Sequence, residues 1–154
     1  MIVLAALIIA GLSYYFLFKH IISEPIKQEI SANVYVNGDV TEQTTIKIDG
    51  ERVYSFISEY RTELLNFYGT FGIECYERTY RDGAEAHIYG ERYVDTQTIM
   101  YYQAATPSTF ELNSRLLINR DMNEIAIGFE DGTVIAISDE LYQAYISEMQ
   151  PQKD

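Results

Sequence analysis

The chain has few of the residues on which several common protein classes depend. It contains one cysteine, Cys75, and no tryptophan, and its 11 Lys and Arg residues are outnumbered by 23 Asp and Glu residues. One thiol cannot form an internal disulfide, so a disulfide-stabilised fold is excluded. The net charge of −12 opposes nucleic-acid binding, because phosphate backbones are bound by Lys and Arg side chains that displace counterions. We therefore expect an acidic protein with no nucleic-acid partner.

Charge is also missing from the first stretch of the chain, Met1 to Phe18. With Lys19 and His20 allowed as end residues, the apolar stretch can be drawn on to Ile22, and as a helix it would span about 30 Å, which is the thickness of the hydrocarbon core of a bilayer. The sequence predicts a transmembrane helix over 1–22 that contacts membrane lipid, a juxtamembrane linker over 23–30, a soluble β-rich domain over 31–149 and a tail over 150–154. A cleaved signal peptide is the alternative, although no basic segment precedes the run.

Two features of the sequence predict opposite orientations of this span. Lys19 and Lys27 follow the apolar run, and the positive-inside rule then places the domain in the cytoplasm. A small Tyr- and Thr-rich β domain behind an N-terminal span is more typical of exported proteins. We favour a single-pass protein of the cell membrane whose soluble domain is extracytoplasmic.

Turn residues between alternating segments predict a mainly β (α+β) domain. Asn37-Gly38, Asp82-Gly83 and Asp131-Gly132 are each placed to join two strands in a hairpin. Further strands are expected over 96–104 and 110–118. This number of strands predicts an antiparallel β sandwich or a barrel-like domain.

Two segments have helical spacing. A short C-terminal helix is predicted from Ser138 or Asp139 to Glu148, and Pro151 ends it. Over 53–68 the apolar residues fit an amphipathic helix, but they fit a strand, loop and strand equally well. The sequence leaves this second segment undecided.

Three segments together resemble small bacterial proteins that have one N-terminal span and a β-rich extracytoplasmic domain. They are Ile46 to Gly50, Phe67 to Glu74, and Phe129 to Thr133 continuing into the C-terminal helix. The resemblance covers most of the domain. It implies export and a β fold, but such proteins are uncharacterised, so it assigns no activity and no functional residue.

No segment forms a recognisable catalytic, cofactor or metal-binding motif. The chain lacks a G-x-S-x-G elbow, and one of its two histidines, His20, lies in the predicted span. Cys75 is in register with Phe71 and Ile73, which predicts a buried, inert thiol, and His87 is predicted at the surface or rim. We predict no catalytic residue, cofactor or metal. Carboxylates that could pair in a glycan-cleaving site are Glu74, Glu77, Glu85 and Glu91.

Tyrosine is the remaining compositional signal, with 14 residues in the chain. Alternation along strands should show about half of those in the domain to solvent, where rigid rings with a hydroxyl suit protein or glycan binding. Cross-strand aromatic pairs that only stabilise the sheet are the alternative. The candidate binding residues are Tyr76, Tyr80, Tyr89, Tyr93, Tyr101 and Tyr102.

The leading hypothesis is a membrane-anchored, non-enzymatic β module that binds a protein or an envelope component near the bilayer. The first alternative is an envelope enzyme that acts on glycan through paired carboxylates. The second alternative is a structural subunit of a membrane complex.

Overall fold

The computed structural model describes residues 8–14, 21–55, 66–79, 84–89, 97–103 and 110–149. Residues 8–14 are helical. The strands are β1 (Ile21–Val36), β2 (Asp39–Ser55), β3 (Asn66–Ile73), β4 (Ala84–Tyr89), β5 (Gln97–Gln103), β6 (Phe110–Ile118), β7 (Ile125–Gly128) and β8 (Val134–Ala136). A 3₁₀ turn lies at Glu77–Thr79, and the C-terminal helix is Asp139–Met149.

The strands form a closed antiparallel barrel in which each strand pairs with the next one along the chain. The barrel closes where β1 meets β8, through the pairs Asn33 with Ala136, Val34 with Ile135 and Tyr35 with Val134. The predicted β-rich domain is confirmed, and of its two expected architectures the barrel is the one observed. Closure joins the first and last strands, which would otherwise be the two edges of the sheet.

Alternate residues of the strands fill the interior of the barrel. Ile46, Ile48, Phe67 and Phe71 are at most 1% exposed, and they contact equally buried residues of β4 to β7. Burial of these apolar side chains is the main stabilising contribution to the fold. Their neighbours in sequence point outward, because successive side chains on a strand face opposite sides of the sheet.

The C-terminal helix packs on the outside of the barrel and forms a second apolar cluster there. Tyr145 is buried against Ala126, Val134 and Ala136. Strands β7 and β8 are therefore covered on both faces, which explains why their consecutive residues are buried rather than alternating. The predicted helix is confirmed, and the Ser138 hydroxyl accepts a hydrogen bond from the Leu141 amide at its start.

Two of the predicted hairpin turns are confirmed. Asn37 and Gly38 both have positive φ, 54° and 95°, as a two-residue turn requires. At the second, Gly132 has a φ of 84° and the Asp131 carboxylate accepts a hydrogen bond from the Thr133 amide. The turn predicted at Asp82-Gly83 lies outside the described residues, as does most of the undecided segment 53–68. Its two described ends belong to strands β2 and β3.

The predicted linker over 23–30 is wrong. These residues belong to β1, where Ser23 pairs with Val53 and Ile30 pairs with Ile46. Pairing with the long neighbouring strand β2 satisfies the backbone groups on that side and holds this short polar segment in an extended form.

The predicted span over 1–22 lies mostly outside the described residues. Its last two residues, Ile21 and Ile22, begin β1. Within the described ranges, no helix is both long enough and apolar enough to cross a bilayer. The tail over 150–154 also lies outside the described residues.

Candidate binding face on strands β3 to β5

The structure separates the six tyrosines that the sequence singles out. Tyr89 and Tyr102 lie on the outer face of the barrel, and Tyr101 lies inside it. Tyr76 stacks on Phe129 with ring centroids 4.0 Å apart, packed against the core. Tyr80 and Tyr93 lie outside the described residues.

The prediction that Tyr101 contributes to a binding surface is wrong. Its side chain is 2% exposed, and its hydroxyl donates a 2.9 Å hydrogen bond to the carbonyl oxygen of Phe71. Burial raises the pKa of this phenol well above its usual value. Tyr101 and Tyr102 are adjacent on β5, so only one of the two can face outward.

Five outward-facing side chains on three neighbouring strands form one surface, which we call the aromatic face. The strand register sets their positions. Tyr68 on β3 lies opposite His87 on β4, which in turn lies opposite Met100 on β5. Tyr89 and Tyr102 lie two residues further along β4 and β5, on opposite sides of this row. The aromatic face is therefore Tyr68, His87, Tyr89, Met100 and Tyr102.

His87 is at the centre of the aromatic face. Its ring centroid is 4.9 Å from that of Tyr68, in an edge-on arrangement, and 4.7 Å from that of Tyr102. The Nδ1 atom of His87 is 3.2 Å from the hydroxyl of Tyr89. The Tyr102 hydroxyl donates to the sulfur of Met100 at 3.4 Å. These contacts hold the rings in a fixed arrangement.

The phenol of Tyr89 is held in its neutral form. Burial raises its pKa, and a hydrogen bond and charge interaction with Tyr102 raise it further. Tyr68 is the most accessible tyrosine of the aromatic face, with 37% of the residue exposed. The aromatic face thus combines hydrogen-bonded rings, Tyr89 and Tyr102, with an accessible ring, Tyr68.

Two carboxylates flank the aromatic face. Glu51 on β2 lies opposite Tyr68, and Glu85 on β4 lies opposite Tyr102. An oxygen of Glu85 is 3.8 Å from Nε2 of His87, which makes an ion pair when the imidazole is protonated. Strands β3, β4 and β5 contain no Lys or Arg. The strands that carry the face therefore contribute only neutral or acidic side chains to it.

Sequence reasoning missed three members of the aromatic face. Tyr68 lies in the segment left undecided between helix and strand, His87 was expected only at the surface or rim, and Met100 carries no signal of its own. The parity of β4 could have identified His87, because it is two residues from Tyr89 and so shares its face. The contact with Tyr68 required the register between β3 and β4.

The carboxylates considered for glycan cleavage do not form a described site. Glu74 makes a 2.8 Å ion pair with Lys47, and this hydrogen bond lowers the pKa of the carboxyl. A general acid requires the opposite shift. Glu85 belongs to the rim of the aromatic face, and Glu91 lies outside the described residues. Among the residues that the structure describes, no group of three His, Cys, Asp or Glu side chains is placed to hold a metal ion.

Cys75 is exposed, so the prediction of a buried thiol is wrong. The alternation that buries Phe71 and Ile73 ends with β3, and Cys75 lies in the turn that follows. Its amide donates to the hydroxyl of Thr44 at 3.1 Å, which holds this turn against β2. The period of a strand cannot be extended past the residue at which the strand ends.

Comparison with known proteins leaves the chain without a family assignment. No protein-family model matches the sequence, and no curated protein or solved structure matches it.

Proposed function

We propose that this chain is a membrane-anchored, non-enzymatic module that uses the aromatic face to bind a protein partner close to the bilayer. The observation that carries the proposal is the cluster of three tyrosines and a histidine on the outside of a barrel whose interior is already filled. Core packing does not require these rings, since they lie on the opposite side of the sheet from the core.

The arrangement of the rings favours binding. Tyrosine offers a large contact area and a hydroxyl at low conformational cost, because it has few rotatable bonds. On the aromatic face that cost is lower still, since His87, Tyr89 and Tyr102 already hold one another by ring contacts and hydrogen bonds. A partner that covers Tyr68 would bury a surface that is ordered before binding.

The N-terminal residues support an anchor. In the helical stretch over 8–14, Ile8, Ile9, Leu12 and Tyr14 are each more than half exposed. Residues 1–20 precede β1 and, as a helix, would still reach about 30 Å. Because β1 begins at Ile21, such an anchor leaves almost no linker, and the barrel would lie directly against the bilayer. This favours a partner that is itself at the membrane.

We place the barrel outside the cytoplasm, as the resemblance to exported β-rich proteins implies. Cys75 offers a direct test, because it is the single cysteine of the chain and it is exposed. Intact cells of the source organism are treated with a membrane-impermeant maleimide, with lysed cells and a Cys75→Ser chain as controls. Labelling in intact cells is expected. Labelling only after lysis would overturn the orientation and leave binding at the cytoplasmic surface.

Binding is tested by site-specific photo-crosslinking in native membranes. A photoreactive amino acid replaces Tyr68 on the aromatic face or Val40 near the β1–β2 turn, where 52% of the residue is exposed. We expect a discrete adduct from the first position only, and we expect Tyr102→Ala to remove it. Adducts that form equally from both positions, or from neither, would contradict the proposal.

A further inference from the structure

We infer that the aromatic face recognises a cationic side chain, arginine above lysine, presented by the partner protein. This inference rests on the proposed function and specifies the chemistry of the partner. A tyrosine and a carboxylate are paired on each side of His87. Tyr68 lies opposite Glu51 on one side, and Tyr102 lies opposite Glu85 on the other.

The charges around the aromatic face are complementary to a cation. Glu51 and Glu85 are exposed, and each is the direct cross-strand neighbour of a tyrosine. The three strands that carry the face have no Lys or Arg of their own. Beside Glu51, Ser23 donates a hydrogen bond to its carboxylate, and Lys27 is paired with Asp49. The whole chain has a net charge of −12, which draws cationic partners towards it.

The rings supply the second element of cation recognition. A cation above the face of a tyrosine ring is attracted by the negative charge density of its π system. Tyr68 and Tyr102 lie on either side of His87, at centroid distances of 4.9 Å and 4.7 Å, so they border one continuous surface. A cation over Tyr68 would also be beside Glu51, since strands are about 4.8 Å apart.

Arginine suits this surface better than lysine. A planar guanidinium can stack on a tyrosine ring and still donate two parallel hydrogen bonds to a carboxylate. The ammonium of lysine is a compact, strongly hydrated charge and cannot make both contacts in one plane. A glycan would also stack on tyrosine, but stacking alone does not account for a carboxylate beside each of the two rings.

The test measures binding of two synthetic peptides to the full chain in nanodiscs of zwitterionic lipid. One peptide is acetyl-Gly-Arg-Gly-Arg-Gly-amide, and its control replaces both arginines with citrulline, which keeps the shape and removes the charge. Isothermal titration at low and at physiological salt gives the dissociation constants. We expect the arginine peptide to bind at least about tenfold more tightly and to weaken as salt is added.

Matched variants locate the binding. Tyr68→Leu removes the π system and is expected to weaken the arginine peptide by about threefold to tenfold, whereas Tyr68→Phe keeps the ring and should bind as the unaltered chain does. Glu85→Gln is expected to weaken binding of the arginine peptide by about threefold. Glu130→Gln removes the same charge from an exposed position in the β7–β8 turn and should change binding by less than about twofold.

Each other outcome overturns the inference. Equal weakening by Glu85→Gln and Glu130→Gln would mean that the overall acidity of the chain attracts the peptide. Equal binding of the citrulline peptide, or tighter binding of a neutral oligosaccharide, would mean that the aromatic face does not select a cation. If the arginine peptide fails to bind while the crosslink from position 68 persists, the proposed function stands and only the cationic chemistry is wrong. If the arginine peptide fails to bind and the crosslink from position 68 is also absent, both the proposed function and the cationic chemistry are wrong.

Discussion

The glycine pair behind the aromatic face allows a sharp test of how the barrel positions Tyr68. Gly50 on β2 lies opposite Gly69 on β3. A Cβ added at Gly50 would lie 2.3 Å from the carbonyl oxygen of Tyr68 and 2.8 Å from the Cα of Gly69. Both are backbone atoms of the facing strand, so no side chain can rotate away. The substitution Gly50→Ala must therefore push β2 and β3 apart at this row.

The expected loss of stability follows from that clash. An ordinary contact begins at 3.4 Å, so the oxygen must retreat by about 1 Å, in the range where overpacking costs about 1–3 kcal/mol. Two weakened ladder hydrogen bonds add about 1–2 kcal/mol. Alanine offsets about 0.4–1 kcal/mol by lowering the entropy of the unfolded chain. The net decrease in the free energy of unfolding is centred on about 3 kcal/mol, within a range of about 1–5 kcal/mol, and about 3 kcal/mol corresponds to roughly 6–12 °C in Tm.

A matched glycine separates the clash from backbone conformation. Gly132 has a φ of 84°, but a Cβ there would meet nothing within 4 Å. Gly132→Ala should cost only the conformational term, about 1 kcal/mol. Both variants are compared by urea unfolding of the full chain in detergent. NMR contacts between the facing backbones of Glu51 on β2 and Tyr68 on β3 should weaken in Gly50→Ala and persist in Gly132→Ala. Equal stabilities of the two variants, or unchanged contacts between β2 and β3 in Gly50→Ala, would refute the reasoning.

Three further predictions concern single side chains. Tyr101→Phe removes the hydrogen bond to the carbonyl of Phe71 and should lower the free energy of unfolding by about 1–2 kcal/mol at neutral pH. Because burial raises the pKa of Tyr101, its contribution is fully present below the usual value of 10.0 and is lost as the pH rises from there through the raised value. In urea titrations at alkaline pH, the free energy of unfolding should fall less steeply with pH in Tyr101→Phe than in the unaltered chain. Equal slopes in the two chains would contradict this. Lys47 lowers the pKa of Glu74 below its usual value of 4.5, so the contribution of Glu74 is present above 4.5 and is lost as the pH falls through the lowered value. Glu74→Gln should therefore lower the urea midpoint of unfolding at neutral pH and leave it unchanged at strongly acidic pH. A decrease of the same size at both pH values would count against the ion pair. Cys75 should react stoichiometrically with maleimide without denaturant, and a thiol protected until unfolding would contradict its exposure.

The aromatic face could be predicted only in part. Tyr89 and Tyr102 were identifiable because tyrosines on adjacent strands must show some rings to solvent. The register between β5 and its neighbours decides whether Tyr101 or Tyr102 faces outward. In the pairing of β5 with β6, that register shifts between these two residues. Tyr68 and His87 meet through a register between β3 and β4 that no local pattern specifies.

The sequence by itself determined the features that arise from neighbouring residues. The left-handed turn at Asn37 and Gly38, the strand over 110–118 and the C-terminal helix were all predictable, because turn conformation, alternation and capping act within a few residues. Segment 23–30 shows the limit of such reasoning, since a short polar stretch with a proline became strand once β2 lay beside it.

Tertiary structure alone decided closure of the sheet and the composition of the aromatic face. The barrel closes through Asn33 and Ala136, which lie about a hundred positions apart in the chain. The inward or outward direction of each tyrosine then follows from how every strand registers with the next. These outcomes depend on the free energy of packing distant segments around one apolar interior, and that free energy is a property of the assembled barrel rather than of any one segment.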